Sequence, residues 1–173
     1  MVLNWVLGNV GKRKKKRKPG GKKKPPYDES KRIAASGDIS ARAELASVED
    51  LEPEILYYFA TDEAAEVRKA VATNEGTPLQ ADQILAGDID GDVRVELARK
   101  IGRLVPTLSK DETDRLTQMA MEVLEILAKD DLPRVRATIA EEIKRAGNVP
   151  NKLVQQLARD VEDIVSAPLL EYS

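Results

Sequence analysis

The chain has 173 residues, of which 42% are hydrophobic and only 3% aromatic, so Ala and Leu must supply most of any core. It contains no Cys and no His, which excludes disulfides, zinc fingers and the usual general base at neutral pH. The net charge of −2 hides a division, because ten of the 28 basic residues lie within residues 12–24. The remaining 18 face all 30 acidic residues, so the rest of the chain carries about −12.

The first ten residues, MVLNWVLGNV, are apolar but too few to span a bilayer, which takes about 20. The basic run follows this apolar stretch, which is the reverse of the order in a secretory signal peptide. An apolar helical face that carries Trp beside a polybasic run is typical of an interfacial anchor on anionic lipid. The alternative is a frayed terminus or a capping first helix. The candidate anchor residues are Val2, Leu3, Trp5, Val6 and Leu7.

Residues 12–26, KRKKKRKPGGKKKPP, predict a disordered basic arm, because like charges repel and Pro and Gly interrupt any helix. The arm suits an anionic membrane, the phosphates of nucleic acid or an acidic protein, and a solubilising tail is the simplest alternative. Base stacking is not supported, since the run contains no aromatic residue. Its candidate binding residues are Lys12, Arg13, Lys14, Lys15, Lys16, Arg17, Lys18, Lys22, Lys23 and Lys24.

From Tyr27 onward the pattern is helical. Pro53 is placed to open a helix, where its missing N–H is tolerated, and Pro78 similarly precedes one. Residues 109–112, SKDE, resemble a capping box ahead of the longest helix, and the segment 99–108 is expected to end at Pro106. The predicted helices cover residues 27–36, 39–46, 54–60, 79–86, 113–129 and 151–158.

One phrase recurs along the chain: Asp, six residues later Arg, then a small or aliphatic pair. The three copies are Asp62 with Arg68, Asp88 with Arg94, and Asp130 with Arg136. The first two copies lie 26 residues apart, Arg42 marks an earlier and shortened copy, and Ser166 occupies the Arg position of a later one. Self-similarity at such a period predicts a solenoid of helix pairs.

The recurring arginines have two interpretations. Stacked along one ridge they would form a basic ladder for a phosphate backbone. Alternatively, each aspartate bonds the arginine or an unpaired helix N–H across the turn and braces the repeat. The constant spacing and the acidity of the body favour the brace, because a negative surface repels nucleic acid.

Neither a metal site nor a catalytic site emerges. Asp88, Asp90 and Asp92 alternate as in a calcium loop, but Val93 and Arg99 stand where that loop needs Gly and an acid. A helical-repeat DNA glycosylase, a third functional hypothesis, needs an aromatic-lined groove for a displaced base, whereas Trp5 and Phe59 are the only Trp and Phe. We therefore expect no enzyme and no cofactor.

The phrase A-x-D-x(4)-V-R-x-x-[VLI]-A, followed by N-x(2,3)-P, resembles the leucine-rich-repeat-variant and HEAT-like repeats of bacteria. Residues 60–173 look like an uncharacterised bacterial family of HEAT-like domains, in which repeats continue past a segment like residues 167–173. This resemblance implies a right-handed superhelix of short helix pairs with a concave binding surface, and it implies no activity. It does not extend to the basic arm.

The sequence thus predicts an all-α, HEAT-like solenoid over residues 27–173, open or truncated at its C-terminus, preceded by a separate region of residues 1–26. The expected function is a non-catalytic, cytoplasmic scaffold for a protein partner. Its arm would localise it to the inner membrane face. The alternative is a nucleic-acid-associated protein that binds phosphates through the same arm. No small-molecule substrate is expected.

Overall fold

A computed structural model describes residues 23–108 and 114–172. Within these residues the chain forms ten α-helices and one 3₁₀ turn and no strand, which confirms the all-α prediction for this part of the chain. The helices are α1 (Tyr27–Ala34), α2 (Ile39–Ala46), α3 (Pro53–Phe59), α4 (Ala65–Thr73), α5 (Leu79–Leu85), α6 (Gly91–Leu104), α7 (Arg115–Leu127), α8 (Pro133–Ile143), α9 (Asn151–Ala158) and α10 (Asp163–Leu170), and the 3₁₀ turn is Val105–Thr107.

Helix boundaries follow local chemistry. Pro53 is the first residue of α3, as predicted, and Pro133 opens α8 in the same way. The side chains of Asp38, Asp90 and Asp114 each accept a backbone N–H at the start of the following helix. Asp114 precedes α7, whereas the predicted capping box at 109–112 lies outside the described residues.

Several boundaries differ from prediction: the helix predicted at 54–60 is Pro53–Phe59, the one at 79–86 ends at Leu85, and the one at 113–129 is Arg115–Leu127. The first helix ends at Ala34, and Ser36 belongs to the turn, where its hydroxyl donates to the Ile33 carbonyl at 2.7 Å. The segment 99–108 is not a separate element, because α6 runs unbroken through Leu104. Pro106 then falls in the 3₁₀ turn, consistent with its lack of an N–H for further α-helical bonding.

Consecutive helices form pairs whose members contact each other: α1 with α2, α3 with α4, and so on to α9 with α10. The even-numbered helices also contact each other in series, from α2 to α10, and α1, α3, α5 and α7 do likewise. We call these the even row and the odd row. Each pair therefore packs chiefly against its neighbours in the chain.

One apolar core runs between the two rows, from Leu45 near the N-terminal pairs to Leu169 in α10. In the even row, α6 and α8 approach closely at Gly102. A Cβ added at Gly102 would lie 2.7 Å from the Cβ of Glu142, so a residue without a side chain is required there for the two helices to pack this closely. Ala98 and Ala140 are also completely buried on these helices.

Candidate functional site

Four arginines, one in each of α2, α4, α6 and α8, bind the aspartate that follows the next odd helix. Both carboxylate oxygens take part, which is the strong bidentate geometry of a guanidinium–carboxylate pair. We call this set the arginine–aspartate ladder. Its pairs, with Nε–Oδ2 and Nη2–Oδ1 distances, are Arg42–Asp62 (2.9 and 3.1 Å), Arg68–Asp88 (2.6 and 3.0 Å), Arg94–Asp130 (2.6 and 3.1 Å) and Arg136–Asp160 (2.7 and 3.0 Å).

We call each helix pair with its connecting turn a unit. Each arginine also contacts its own unit through its remaining nitrogen, Nη1. Nη1 donates to the backbone carbonyl six residues earlier, at 2.6 to 2.8 Å, and those carbonyls belong to Ser36, Asp62, Asp88 and Asp130. The constant six-residue spacing therefore joins the arginine to the main chain of its own turn. The aspartate side chain that it binds belongs to the following unit, 20, 36 or 24 residues further along.

The ladder aspartates also order their own turns. Oδ1 of each accepts the backbone N–H two residues later, at 2.8 to 3.0 Å. The guanidinium beside Asp160 lowers the pKa of that carboxyl, and the carboxylates raise the pKa of all four arginines. With arginine side chains only 5–15% exposed, a nucleic-acid phosphate would have to displace a carboxylate to reach them.

Serine occupies both ends of the ladder. Ser36 stands six residues before Arg42, and it offers a carbonyl to that arginine but no carboxylate to another. Ser166 stands six residues after Asp160; it is buried, and its hydroxyl donates to the Glu162 carbonyl at 3.4 Å. Four complete arginine–aspartate pairs therefore lie within the described residues.

A second set of contacts between units was not predicted from the sequence. The Asn74 amide donates to the carbonyls of Ala46 and Val48, at 2.7 and 2.9 Å, where α2 ends. Lys100 Nζ lies 26 residues further on and donates to the Asn74 carbonyl at 3.2 Å. Both donors satisfy carbonyls at the C-terminal end of the preceding even helix, which lack partners within that helix. Asn148 makes the corresponding contact after α6, donating to the carbonyls of Val105 and Pro106 at 3.2 and 3.0 Å, so the recurring asparagine was the available signal.

Lys100 brings a charge into the interior, and Asp82 on α5 compensates it. Nζ lies 2.7 Å from Oδ1 of Asp82, and the two side chains are 9% and 2% exposed. Burial raises the pKa of Asp82 to about 6, against the opposing effect of Lys100, and burial lowers the pKa of Lys100. Because both side chains are buried and paired with each other, the geometry suits a structural ion pair rather than catalysis.

One concavity lies on the odd row, across α3, α5 and α7. It encloses about 600 Å³ and combines apolar side chains with amides. We call it the odd-row groove. Tyr57 and Ile84 are 43% and 38% exposed there, and the Gln83 amide donates to Glu122 at 3.1 Å, which links α5 to α7 across it. The lining residues are Tyr57, Gln80, Gln83, Ile84, Arg115, Gln118, Met119 and Glu122.

The basic arm meets the body at its last basic residue, Lys24. Lys24 Nζ lies 2.5 Å from Oε1 of Glu52, at the N-terminus of α3, and Oε2 of that carboxylate is buried without a hydrogen-bond partner. Lys23 is exposed. The other arm residues, Lys12 to Lys22, and the candidate anchor Val2 to Leu7 lie outside the described residues.

The acidic turn at residues 88–92 is occupied by contacts within the protein. Asp88 binds Arg68, Asp90 caps α6, and Asp92 pairs with Arg134. In the part of the chain that the structure describes, no three Asp or Glu residues cluster as metal ligands would. None of the described helices is long and apolar enough to cross a bilayer.

No protein-family model matches the chain, and no curated protein is significantly similar to it. The geometry of the chain itself must therefore carry any functional conclusion.

Proposed function

We propose that this protein is a non-catalytic scaffold that binds another protein through the odd-row groove. The observation that carries the proposal is the groove itself, which offers exposed Tyr57 and Ile84 beside amide donors and acceptors. Its volume lies within the range of about 300–1,000 Å³ that is usual for binding pockets. A few anchoring side chains in such a pocket can dominate the energy of a protein interface.

With this function we propose the right-handed, HEAT-like solenoid. The serial contacts of the even row support a stack in which each helix pair meets mainly its neighbours. The ladder supports it as well, because Arg42, Arg68, Arg94 and Arg136 repeat one contact from each unit to the next. Such a braced framework would hold the groove-lining helices in fixed relative positions, which favours binding by reducing the ordering cost.

We further propose that the N-terminal arm places this scaffold on an anionic membrane surface. Residues 12–24 carry ten basic side chains, and each contributes about 1 kcal/mol near such a surface. Trp5 and its apolar neighbours would add burial in the interface. The alternative function, phosphate binding to nucleic acid, needs only the basic residues and makes no use of Trp5.

Co-sedimentation with anionic and neutral vesicles tests the arm, using the full chain, Trp5→Ala, and a variant with Gln at residues 12–18. The expected result is binding to anionic vesicles that both variants lose and that duplex DNA competes with poorly. If Trp5→Ala binds normally and DNA strips the protein from the vesicles, the phosphate-binding alternative replaces the membrane proposal.

Site-specific photo-crosslinking in cells tests the groove. A photoreactive residue at position 84 is expected to capture one protein partner, and Tyr57→Arg in the same chain should abolish that product. Position 126 is the matched control, because Ile126 is similarly exposed on α7 but does not line the groove. Equal capture from positions 84 and 126 would contradict the assignment of the groove.

A further inference from the structure

We infer that the chain's own N-terminal segment, residues 2–10, occupies the odd-row groove when no membrane is present. This inference rests on the proposed function, since it names what fills the binding site before a partner does. Lipid that binds the arm and Trp5 would then withdraw this segment from the groove. Membrane attachment and partner binding would become coupled through competition for one segment.

The first support is where the arm joins the body. Lys24 is paired with Glu52 at the start of α3, and Tyr57 of the groove lies five residues further along the same helix. At 1.5 Å per residue, that separation is only about 7.5 Å along the helix axis. Residues 11–22 can span up to about 40 Å when extended, so residues 2–10 are well within reach of the groove.

The second support is charge. The arm holds ten basic residues and the remaining chain about −12. Where the arm joins the body, Lys24 already pairs with Oε1 of Glu52, and Oε2 of that carboxylate is buried without a hydrogen-bond partner. Glu54 follows on the same helix, and Glu122 lines the groove. Attraction between the arm and this side of the body raises the local concentration of residues 2–10 beside the groove.

The third support is the chemical match between segment and groove. Residues 2–10 contain aliphatic side chains, Trp5 and two asparagines, with no charged side chain. The groove offers Tyr57, Ile84 and Met119 for apolar contact. Its glutamine amides can exchange hydrogen bonds with Asn4 and Asn9.

Trp5 is the only tryptophan in the chain, so its fluorescence reports on this segment in the full-length protein. The expected emission is blue-shifted from that of free N-acetyltryptophanamide, with reduced quenching by acrylamide. Ile84→Lys and Tyr57→Ser, each checked for native unfolding behaviour, should restore the emission and quenching of the free compound. Ile126→Lys introduces the same charge on α7 outside the groove and should leave Trp5 protected.

Three outcomes would overturn the inference. Trp5 in the unmodified protein could fluoresce as the free compound does, or Ile126→Lys could release it as fully as Ile84→Lys. Protection that disappears on dilution would assign the occupant to a second copy of the chain. If vesicle binding and partner crosslinking succeed while Trp5 is exposed in solution, the proposed function stands and only this inference fails.

Discussion

The two kinds of contact between neighbouring helix pairs differ in regularity and in chemistry. The arginine–aspartate ladder repeats one bidentate geometry four times, and each of its arginine side chains, 5–15% exposed, meets an aspartate. The Asn74 and Lys100 contacts serve equivalent helix ends with different chemistry, one neutral amide and one ammonium that needs Asp82. The charged groups of both kinds of contact are largely withdrawn from water, so each of them needs an oppositely charged partner.

The largest test of this comparison is Lys100→Met, which leaves the Asp82 carboxylate in the interior without a counter-charge. We expect the free energy of unfolding to fall by about 3–5 kcal/mol, measured by urea denaturation at pH 7. The double variant Asp82→Asn/Lys100→Met removes both charges and should recover more than half of that loss. A single variant as stable as the unmodified protein would show that the pair is not effectively buried.

Arg94→Met should have the next largest effect, because it removes a bidentate pair to Asp130 and a bond to the Asp88 carbonyl. The expected loss is about 2–3 kcal/mol. Arg136→Met breaks the same geometry one unit later and should match it within about 1 kcal/mol if the pairs are equivalent. The double variant Asp130→Asn/Arg94→Met should lose less free energy of unfolding than the sum of the two single losses. A loss equal to that sum would show that the pair makes no direct contribution.

The two regions should also respond oppositely to pH. The pKa of Asp82 is raised to about 6, so its protonated form adds to the free energy of unfolding. That stabilisation is fully present below the unfolded pKa, near 3.9, and is lost as pH rises through 6. The pKa of Asp160 is lowered by Arg136, so its ionised form adds to the free energy of unfolding. That stabilisation is present above the pKa of the unfolded state and is lost as pH falls through the pKa of the folded state.

Urea denaturation between pH 3 and 7 would measure these slopes, each at most about 1.4 kcal/mol per pH unit for one proton. Asp82→Asn should make stability rise more steeply with pH between pH 4 and 6. Asp160→Asn should flatten the loss of stability below pH 4. Identical pH profiles for both variants would contradict the assignment of opposite shifts.

The smallest effect is expected at the surface of the even row. Arg103 lies 3.2 Å from Glu142 but is 63% exposed, so water screens the pair. Arg103→Gln should change the free energy of unfolding by about 0.5 kcal/mol or less. A loss as large as that of Arg94→Met would mean that exposure does not govern the value of these ion pairs.

Much of the helical architecture was predictable because its signals are local. Pro53 opens a helix by its own geometry, and the recurring Asp and Arg marked equivalent positions in successive units. The partners were not predictable in the same way. Asp62 precedes Arg68 by six residues, yet its side chain binds Arg42, because stacking brings the turn of one unit beside the helix of the preceding one.

The sequence by itself determined the helices, their period, the acidic body and the basic arm, since these depend on residue order and composition. Only the tertiary structure decided that Lys100 is buried against Asp82 and that Tyr57, Ile84 and Met119 line one groove. Those residues lie on different helices and become neighbours when the helices pack. No local spacing encodes that proximity, because it depends on how side chains from several units fill a shared volume.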